Sequence, residues 1–578
     1  MLKDVLIDKT TITTYIKEQQ WDKVIDNLKP GIESHNEPLD IDPYVWLGLA
    51  YRKKDELDQA QAVLENGREK FPEDSRIYFQ LAELAMSKKD WSKAVFMWEE
   101  AMNLTKNKSA RLYIRLGAAY QYLGQFSESE KILEEGLLLY PDNRDLLISL
   151  AKVSEAKFDW LQAKERWDNV YQGQVGETDF EVELALSIVN QIIGDSKQSQ
   201  KHLQTCLENH SKELAKNYKS GYKKVVLFNN NETRIEFYKK LSICEDVVIT
   251  FDSRHMHWAE QPFGYRFLTK YDVDIIAVRK RNANLVHQDL TIEEFENVVK
   301  VIVGNYKKRI AYGFSLGAYS VLYYCLNLQC EMLSLSPRNR FHPIFGTDNK
   351  KGTIEFHHNL FYSYNEKLSP IIVYDPKNNY DKRYIETELK VKFPNARLLK
   401  TPYSGHETAN YLLEVGALKD LVTKVLTGQE VSLNYDRDKR KFSFHYLMTI
   451  TEICLERNKN KWALKISQEA EGIAPKATKG DKLSPKAAKV RRMRIQALWR
   501  LGETQQAHTL AEDTLKNVPK KKQIEVYLLL IDLHMMDKNL LEANEIVKSI
   551  SHLYEDSNRF LDKKKQIADL LLMSSYAD

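Results

Sequence analysis

The chain is short of cysteine, of net charge and of long apolar runs. Cys206, Cys244, Cys325, Cys330 and Cys454 are the five cysteines in 578 residues, scattered without the paired spacing that metal sites need. That pattern excludes a disulfide framework and fits reduced thiols in a cytoplasmic protein. Lys and Arg number 85 against 81 Asp and Glu, a formal net charge of +4. So small an imbalance gives no footprint for nucleic acid or an anionic membrane surface. No window reaches the roughly 18 apolar residues of a membrane span, and Met1-Leu2-Lys3-Asp4 opens without the apolar core of a signal peptide. The expectation is a cytoplasmic protein that binds no nucleic acid and does not span a membrane. What is present is ordinary for a globular chain, 43% hydrophobic and 29% charged residues, in a length that suits about three to four domains.

The first 210 residues show a period. Trp46-Leu47-Gly48 with Tyr51, Ala60, Leu64 and Pro72 is followed by Tyr78, Leu81-Ala82, Ala94, Trp98 and Ala101. Then come Leu116-Gly117, Tyr120, Leu133, Gly136 and Pro141, and lastly Leu150-Ala151, Ala163, Trp167 and Val170. The small residues Gly48, Ala82, Gly117 and Ala151 recur at steps of 34, 35 and 34 residues. Over about 40 to 172 the chain resembles the tetratricopeptide repeat family, whose paired helices cross in close contact at such positions. The resemblance implies a right-handed helical solenoid with a concave face that binds protein segments. Trp46, Trp98 and Trp167 are accounted for by the helix seam, without a cofactor.

Near residue 215 the period gives way to short apolar runs: Val225–Phe228, Val247–Phe251, Ile275–Val278, Ile310–Tyr312, Met332–Leu335, Ile371–Tyr374 and Ala396–Leu399. Helical stretches, notably Ile292–Tyr306 and Ala318–Leu328, alternate with them. Short apolar strands separated by helices predict a mostly parallel sheet covered on both faces. In its middle lies Gly313-Phe314-Ser315-Leu316-Gly317, the G-x-S-x-G pattern between a strand and a helix that forms a nucleophile elbow. The alternative is a tight turn whose serine only caps the helix.

With this elbow, residues 222 to 428 resemble the α/β-hydrolase family. The resemblance implies a serine nucleophile, an acid and a histidine in that chain order, the last two in loops after later strands. Ser315 and His406, in Ser404-Gly405-His406, fill the first and third places. The acid is Asp381 or Asp375; Asp381, at the mouth of the helical run from Lys382, matches the usual spot, and Asp375 caps the strand and begins a turn with Pro376. A serine hydroxyl is a poor nucleophile until an imidazole, held in one tautomer by a carboxylate, can take its proton. The backbone N–H groups of Leu316 and of Asp252, which opens the loop after Val247–Phe251, are the candidate oxyanion donors. No His-Gly pair opens that loop, which departs from the family.

The other polar clusters carry weaker readings. Arg338 and Arg340 follow a strand on the serine's side of the sheet and could reach an anionic substrate such as an acidic sugar, a phosphate or a coenzyme A tail; the bland reading is solvated loop cations, which also covers Arg279, Lys280 and Arg281. His255 and His257 lack a third ligand at helpful spacing and read as a cleft loop; His357-His358 reads as a surface pair. The stretch Arg338 to Phe361 is long enough to form a lid. After a charged linker at 436–441, helical periodicity returns, with Ala507 and Ala543 separated by 36 residues.

The expected architecture is multidomain: an all-α tetratricopeptide-like solenoid at 1–215, a three-layer α/β-hydrolase-like domain at 216–430 and a C-terminal all-α repeat-like segment at 431–578. The resemblances imply serine-dependent acyl transfer, to water as an esterase or to a sugar hydroxyl as an O-acyltransferase, with protein partners held by the repeats. The substrate would be an acyl ester or a glycan, by analogy a bacterial surface polysaccharide or its precursor. No cofactor or metal is required; a transferase would take an acyl donor such as acetyl-CoA. The competing readings are a non-catalytic scaffold with a degenerate hydrolase fold, and a peptide or protein hydrolase fed by the repeats.

Overall fold

The computed structural model describes residues 9–34, 40–173, 179–283, 286–346, 355–358, 367–476 and 482–575. Much of the stretch read as a lid therefore lies outside the described residues. The chain divides into two compact units, Met1–Lys223 with Lys239–Ile243, and Lys224–Tyr238 with Cys244–Asp578.

In the first unit, helices pair along the chain: Asp42–Lys53 with Leu57–Lys70, Ser75–Lys88 with Trp91–Leu104, Ala110–Leu123 with Phe126–Leu139, Arg144–Ala156 with Trp160–Gln172, and Phe180–Ile193 with Ser196–Asn209. Asp74, Asp90, Asn143, Asp159, Asp179 and Asp195 cap helix N-termini by accepting backbone N–H bonds. Each tight turn carries a left-handed residue, at Asp55, Lys89, Gly124, Phe158 and Gly194, which ends one helix and reverses the chain. The small residues mark the crossings: a Cβ on Gly48 would lie 2.3 Å from Leu64 Cδ2, and one on Gly117 2.9 Å from Leu133 Cδ2. Trp98 and Trp167 are fully buried in the seams and Trp46 packs half-buried against the core.

The second unit is built on eight strands: β1 (Tyr222–Asn229), β2 (Thr233–Lys240), β3 (Asp246–Phe251), β4 (Val273–Lys280), β5 (Lys308–Phe314), β6 (Glu331–Leu335), β7 (Ile371–Tyr374) and β8 (Arg397–Lys400). They form one sheet in the order β1-β2-β4-β3-β5-β6-β7-β8. β2 runs antiparallel to β4, and the pairs from β4 through β8 are parallel. All positions of β4 and β7 are buried, so both alternating sets of side chains are covered, as in a sheet layered between helices.

β2 is the strand that the apolar pattern did not predict. Its sequence, Thr-Arg-Ile-Glu-Phe-Tyr-Lys-Lys, is broken by charge, yet Glu236 is fully buried and bonds Tyr238 Oη at 2.7 Å and Arg279 Nη1 at 3.3 Å. A buried charge with partners satisfies the same strand that a hydrophobic residue would.

The C-terminal helices fall in the same unit as the sheet. They pair as Phe444–Glu456 with Asn460–Gly472, Pro485–Arg500 with Thr504–Asn517, and Lys520–Met536 with Leu540–Ile550, followed by Asn558–Ser575. Asn458, Gly502 and Lys538 repeat the left-handed turn seen in the first unit. Glu414 fastens the first of these helices to the sheet domain, accepting from Ser443 Oγ at 2.5 Å and lying 2.8 Å from His445 Nδ1.

Candidate active site

Six parallel strands, β3 to β8, deliver their carboxyl ends to one rim of the sheet, where the loops of an open α/β sheet form a crevice. Ser315 follows β5, Arg338 follows β6, Asp375 and Asp381 follow β7, and His406 follows β8.

The turn at Ser315 is strained and tightly packed. Ser315 has φ 55° and ψ −115°, a conformation that costs a side-chain-bearing residue about 1–3 kcal/mol. A Cβ on Gly313 would stand 2.4 Å from the Gly317 backbone, and one on Gly317 2.5 Å from the Phe251 carbonyl oxygen. Only glycine lets the helix start this close to β5 and β3. The serine is thereby lifted out of the strand, with its N–H bonded to Leu335 O at 2.9 Å, and its side chain does not cap the helix.

Ser315 Oγ lies 2.8 Å from His406 Nε2, and His406 Nδ1 lies 2.9 Å from Asp381 Oδ2. The serine, histidine and first-choice aspartate are thus contiguous, drawn from three loops. Asp381 sits in the first turn of the helix Asn379–Tyr384, its N–H capped by Asn378 Oδ1 at 3.1 Å. Its side chain is wholly buried, while His406 keeps 20% of its side-chain surface exposed. Leu316 opens the helix Leu316–Tyr324; an N–H at that position has no intrahelical acceptor and is available to an anion beside the serine.

Asp375 is not brought to the histidine. Its Oδ1 accepts from Lys377 N at 2.8 Å and Tyr403 N at 3.0 Å, and its Oδ2 from Gly405 N at 2.9 Å. It splices the β7 loop to the β8 loop, and burial, the dominant influence, raises its pKa above the ordinary carboxylate value. Gly405 itself, at φ 66°, leaves room for Thr449: a Cβ there would stand 2.7 Å from Thr449 Oγ1. Asp375→Ala would strand three N–H donors beside His406. We expect it to cut the rate of reaction at Ser315 by about tenfold to a hundredfold and stability by about 2–4 kcal/mol, read from serine-labelling kinetics and urea unfolding. An Asp375→Ala protein with native labelling kinetics would show that this splice does not position the histidine.

The remaining expectations fare differently. Asp252 is no oxyanion donor: its N–H bonds Val278 O at 3.0 Å, because the residue continues the β3–β4 ladder. Its carboxylate takes Arg279 Nε at 2.8 Å and Lys280 N at 3.2 Å. Arg279 and Lys280 are therefore not solvated cations; both are fully buried. Arg279 also donates to the carbonyls of His257 at 2.8 Å and Glu260 at 3.0 Å, pinning the loop after β3. Lys280 donates to Arg254 O at 3.0 Å, and burial pulls its pKa down to about 8. His358 is likewise no surface residue: it is buried, stacks on Tyr323 at 4.2 Å, and bonds Tyr319 Oη at 3.0 Å and Tyr324 Oη at 3.1 Å. His357 is exposed.

Arg338 is held by the loop that carries the acid. Its Nε and Nη2 lie 2.8 and 2.7 Å from Asp381 Oδ1, and Nη2 donates to Asn378 Oδ1 at 3.1 Å. Sequence alone had no means of showing this partnership, since it depends on β6 and β7 being neighbours. Arg340 lies over the Phe341 ring, 4.4 Å from its centroid. Among the described residues no cluster of His, Cys, Asp or Glu could hold a metal, and no helix is long and apolar enough to cross a membrane. The five cysteines are free thiols.

Two tetratricopeptide repeat family models match the chain, at residues 41–84 and 110–143. The N-terminal unit is accordingly a tetratricopeptide-repeat solenoid. Solved structures similar to the chain include YrrB, a TPR protein with an unusual peptide-binding site, at 16% identity and TM-score 0.27, covering 33% of this chain and 97% of YrrB. Pseudomonas aeruginosa pilF is 14% identical with TM-score 0.30, covering 36% of this chain and 90% of its own. PilW, a type IV pilus biogenesis factor, is 16% identical with TM-score 0.33, covering 36% and 96%. No curated protein matches the chain.

Proposed function

We propose that the sheet domain is a serine acyl-transfer enzyme of α/β-hydrolase type, and that the repeats hold a protein partner. The observation that carries this reading is the contiguous hydrogen-bonded series from Ser315 Oγ through His406 to Asp381, centred on a strained serine at a strand-to-helix turn. The chain order serine, aspartate, histidine agrees with that family.

In the proposed reaction Ser315 Oγ attacks the acyl carbonyl carbon while His406 Nε2 takes the hydroxyl proton. Negative charge gathers on the carbonyl oxygen, where the Leu316 N–H can receive it. Collapse breaks the bond to the leaving group, which departs with the proton held by His406, and leaves an acyl-serine. His406 then takes a proton from the acceptor hydroxyl, which attacks the acyl carbon and frees Ser315. Asp381 keeps Nδ1 protonated, so that Nε2 is the basic nitrogen. Water as acceptor makes an esterase; a sugar hydroxyl, with a donor such as acetyl-CoA, makes an O-acyltransferase.

A fluorophosphonate probe tests the reading. Wild-type protein is expected to label covalently at Ser315, detected by peptide mass spectrometry. An unlabelled wild type alongside a reactive control esterase would leave the sheet domain as a scaffold for the repeats. With labelling established, release of free acid against acyl-sugar from an acyl thioester separates hydrolysis from transfer.

A further inference from the structure

We propose that Arg338 is a positioning residue of this site, fixing the Asp381 carboxylate and offsetting part of its charge, so that an arginine as well as an aspartate sets the strength of the base. The inference rests on the acyl-transfer reading above.

Asp381 is a carboxylate with no exposed side-chain surface. Such a group needs partners for both oxygens to stay ionised. His406 Nδ1 serves Oδ2 at 2.9 Å, while Oδ1 faces Nε and Nη2 of Arg338 at 2.8 and 2.7 Å. Nη2 is shared with Asn378 Oδ1, the atom that also caps the helix carrying Asp381. The planar fork thus fixes the carboxylate and the first turn of its helix together. Arg338 is tied to the other end of the series as well, because its backbone N–H donates to Ser315 O at 3.1 Å. One residue couples the turn that presents the nucleophile to the acid that orients its base.

The electrostatic consequence follows from the charge count. An imidazole beside a lone carboxylate feels a full negative charge, whereas beside a carboxylate already paired with a guanidinium it feels much less. Asp375, the other buried carboxylate near Asp381, interacts with it by charge and is occupied by three backbone N–H groups. Removing the guanidinium should therefore strengthen the hold on the protonated imidazole and loosen the geometry of the acid. Contact with a substrate anion is the competing role, but the guanidinium is committed to Asp381 and Asn378, and only 18% of the Arg338 side chain is exposed.

The test measures kinact and KI of the fluorophosphonate probe against pH for full-length wild type, Arg338→Gln and Arg338→Lys. For Arg338→Gln the expected result is a kinact lower by about tenfold to a hundredfold, an unchanged KI, and an acidic limb moved to higher pH by about one unit. Arg338→Lys keeps the charge without the fork; its limb should stay near wild type while kinact is only partly recovered. An Arg338→Gln protein with wild-type kinact and limb overturns the proposal, as does a rise in KI alone, which would place the arginine against the ligand. If Arg338→Gln loses its near-UV circular dichroism, Arg338→Lys decides, since wild-type kinact without the fork would exclude a positioning role. A wild type that does not label sinks the acyl-transfer reading itself, an outcome separate from any failure of the arginine variants.

Discussion

Ser315→Ala is expected to abolish covalent labelling, and Ser315→Ala and His406→Ala each to slow hydrolysis of an activated aryl ester by about 10⁴–10⁶-fold. The double variant is expected to be no slower than the worse single one. The reasoning is that the 2.8 Å contact between Ser315 Oγ and His406 Nε2 makes the two side chains one device. Without the imidazole the hydroxyl stays protonated, and without the hydroxyl the imidazole has nothing to activate. Losses that multiplied in the double variant would show two residues acting independently and would remove the basis for the proposed mechanism. The fold should be indifferent to Ser315→Ala, which deletes one hydrogen bond at a partly exposed site. Ser315→Gly should raise stability by about 1 kcal/mol while also abolishing activity, because it releases the strain of φ 55°. Thermal unfolding of the two variants checks this. A destabilised Ser315→Gly would mean that the turn is held by its serine and not strained by it.

The second large effect is a loss of stability on acidification. Burial, the leading cause in each case, pulls the pKa of His342 and of His358 from 6.5 down to about 4; His287 is fully buried and lies well below its ordinary value for the same reason. At a pH well above about 6.5 these rings are neutral both in the folded and in the unfolded chain, so they contribute no pH dependence there. Between about 6.5 and 4 the unfolded chain takes up protons that the folded rings refuse, and the folded state loses ground with each step down. For His342 and His358 the loss approaches about 3 kcal/mol each by pH 4. His342→Asn is the informative variant. Its side-chain oxygen can stand in for Nδ1, which accepts from Ile344 N at 3.2 Å and Phe345 N at 3.1 Å, and it does not titrate. Relative to wild type, its urea midpoint should improve steadily from pH 7 to 4.5. Parallel curves over that range would mean that His342 protonates as readily in the folded protein as in the unfolded one.

Several features were legible because they are local. The spacing of Gly48, Ala82, Gly117 and Ala151 announces helix crossings that recur with the chain, and Gly313-x-Ser315-x-Gly317 announces a turn whose backbone contacts allow no Cβ. Seven of the eight strands show as apolar runs. What escaped detection was charge placed inside. Arg279 and Lys280 at the end of β4 and the buried His358 read as surface groups, and the buried Glu236 lies in β2, the strand that no apolar run marks. Their partners lie far away in sequence, so nothing in their neighbourhood signals that burial is compensated. Asp252 misled for a related reason: the loop position was right for a donor, but the sheet ladder extends one residue further and takes its N–H.

The sequence by itself determined the repeats, the strand-and-helix alternation and the tight strand-to-helix turn at Ser315, all of which follow from periodicity and backbone sterics within a few tens of residues. Only the tertiary structure decided which aspartate meets His406 and that Arg338 pairs with that same aspartate. Those pairings depend on which parallel strands lie side by side and on how their carboxyl-end loops converge, a matter of long-range packing that local side-chain pattern does not encode.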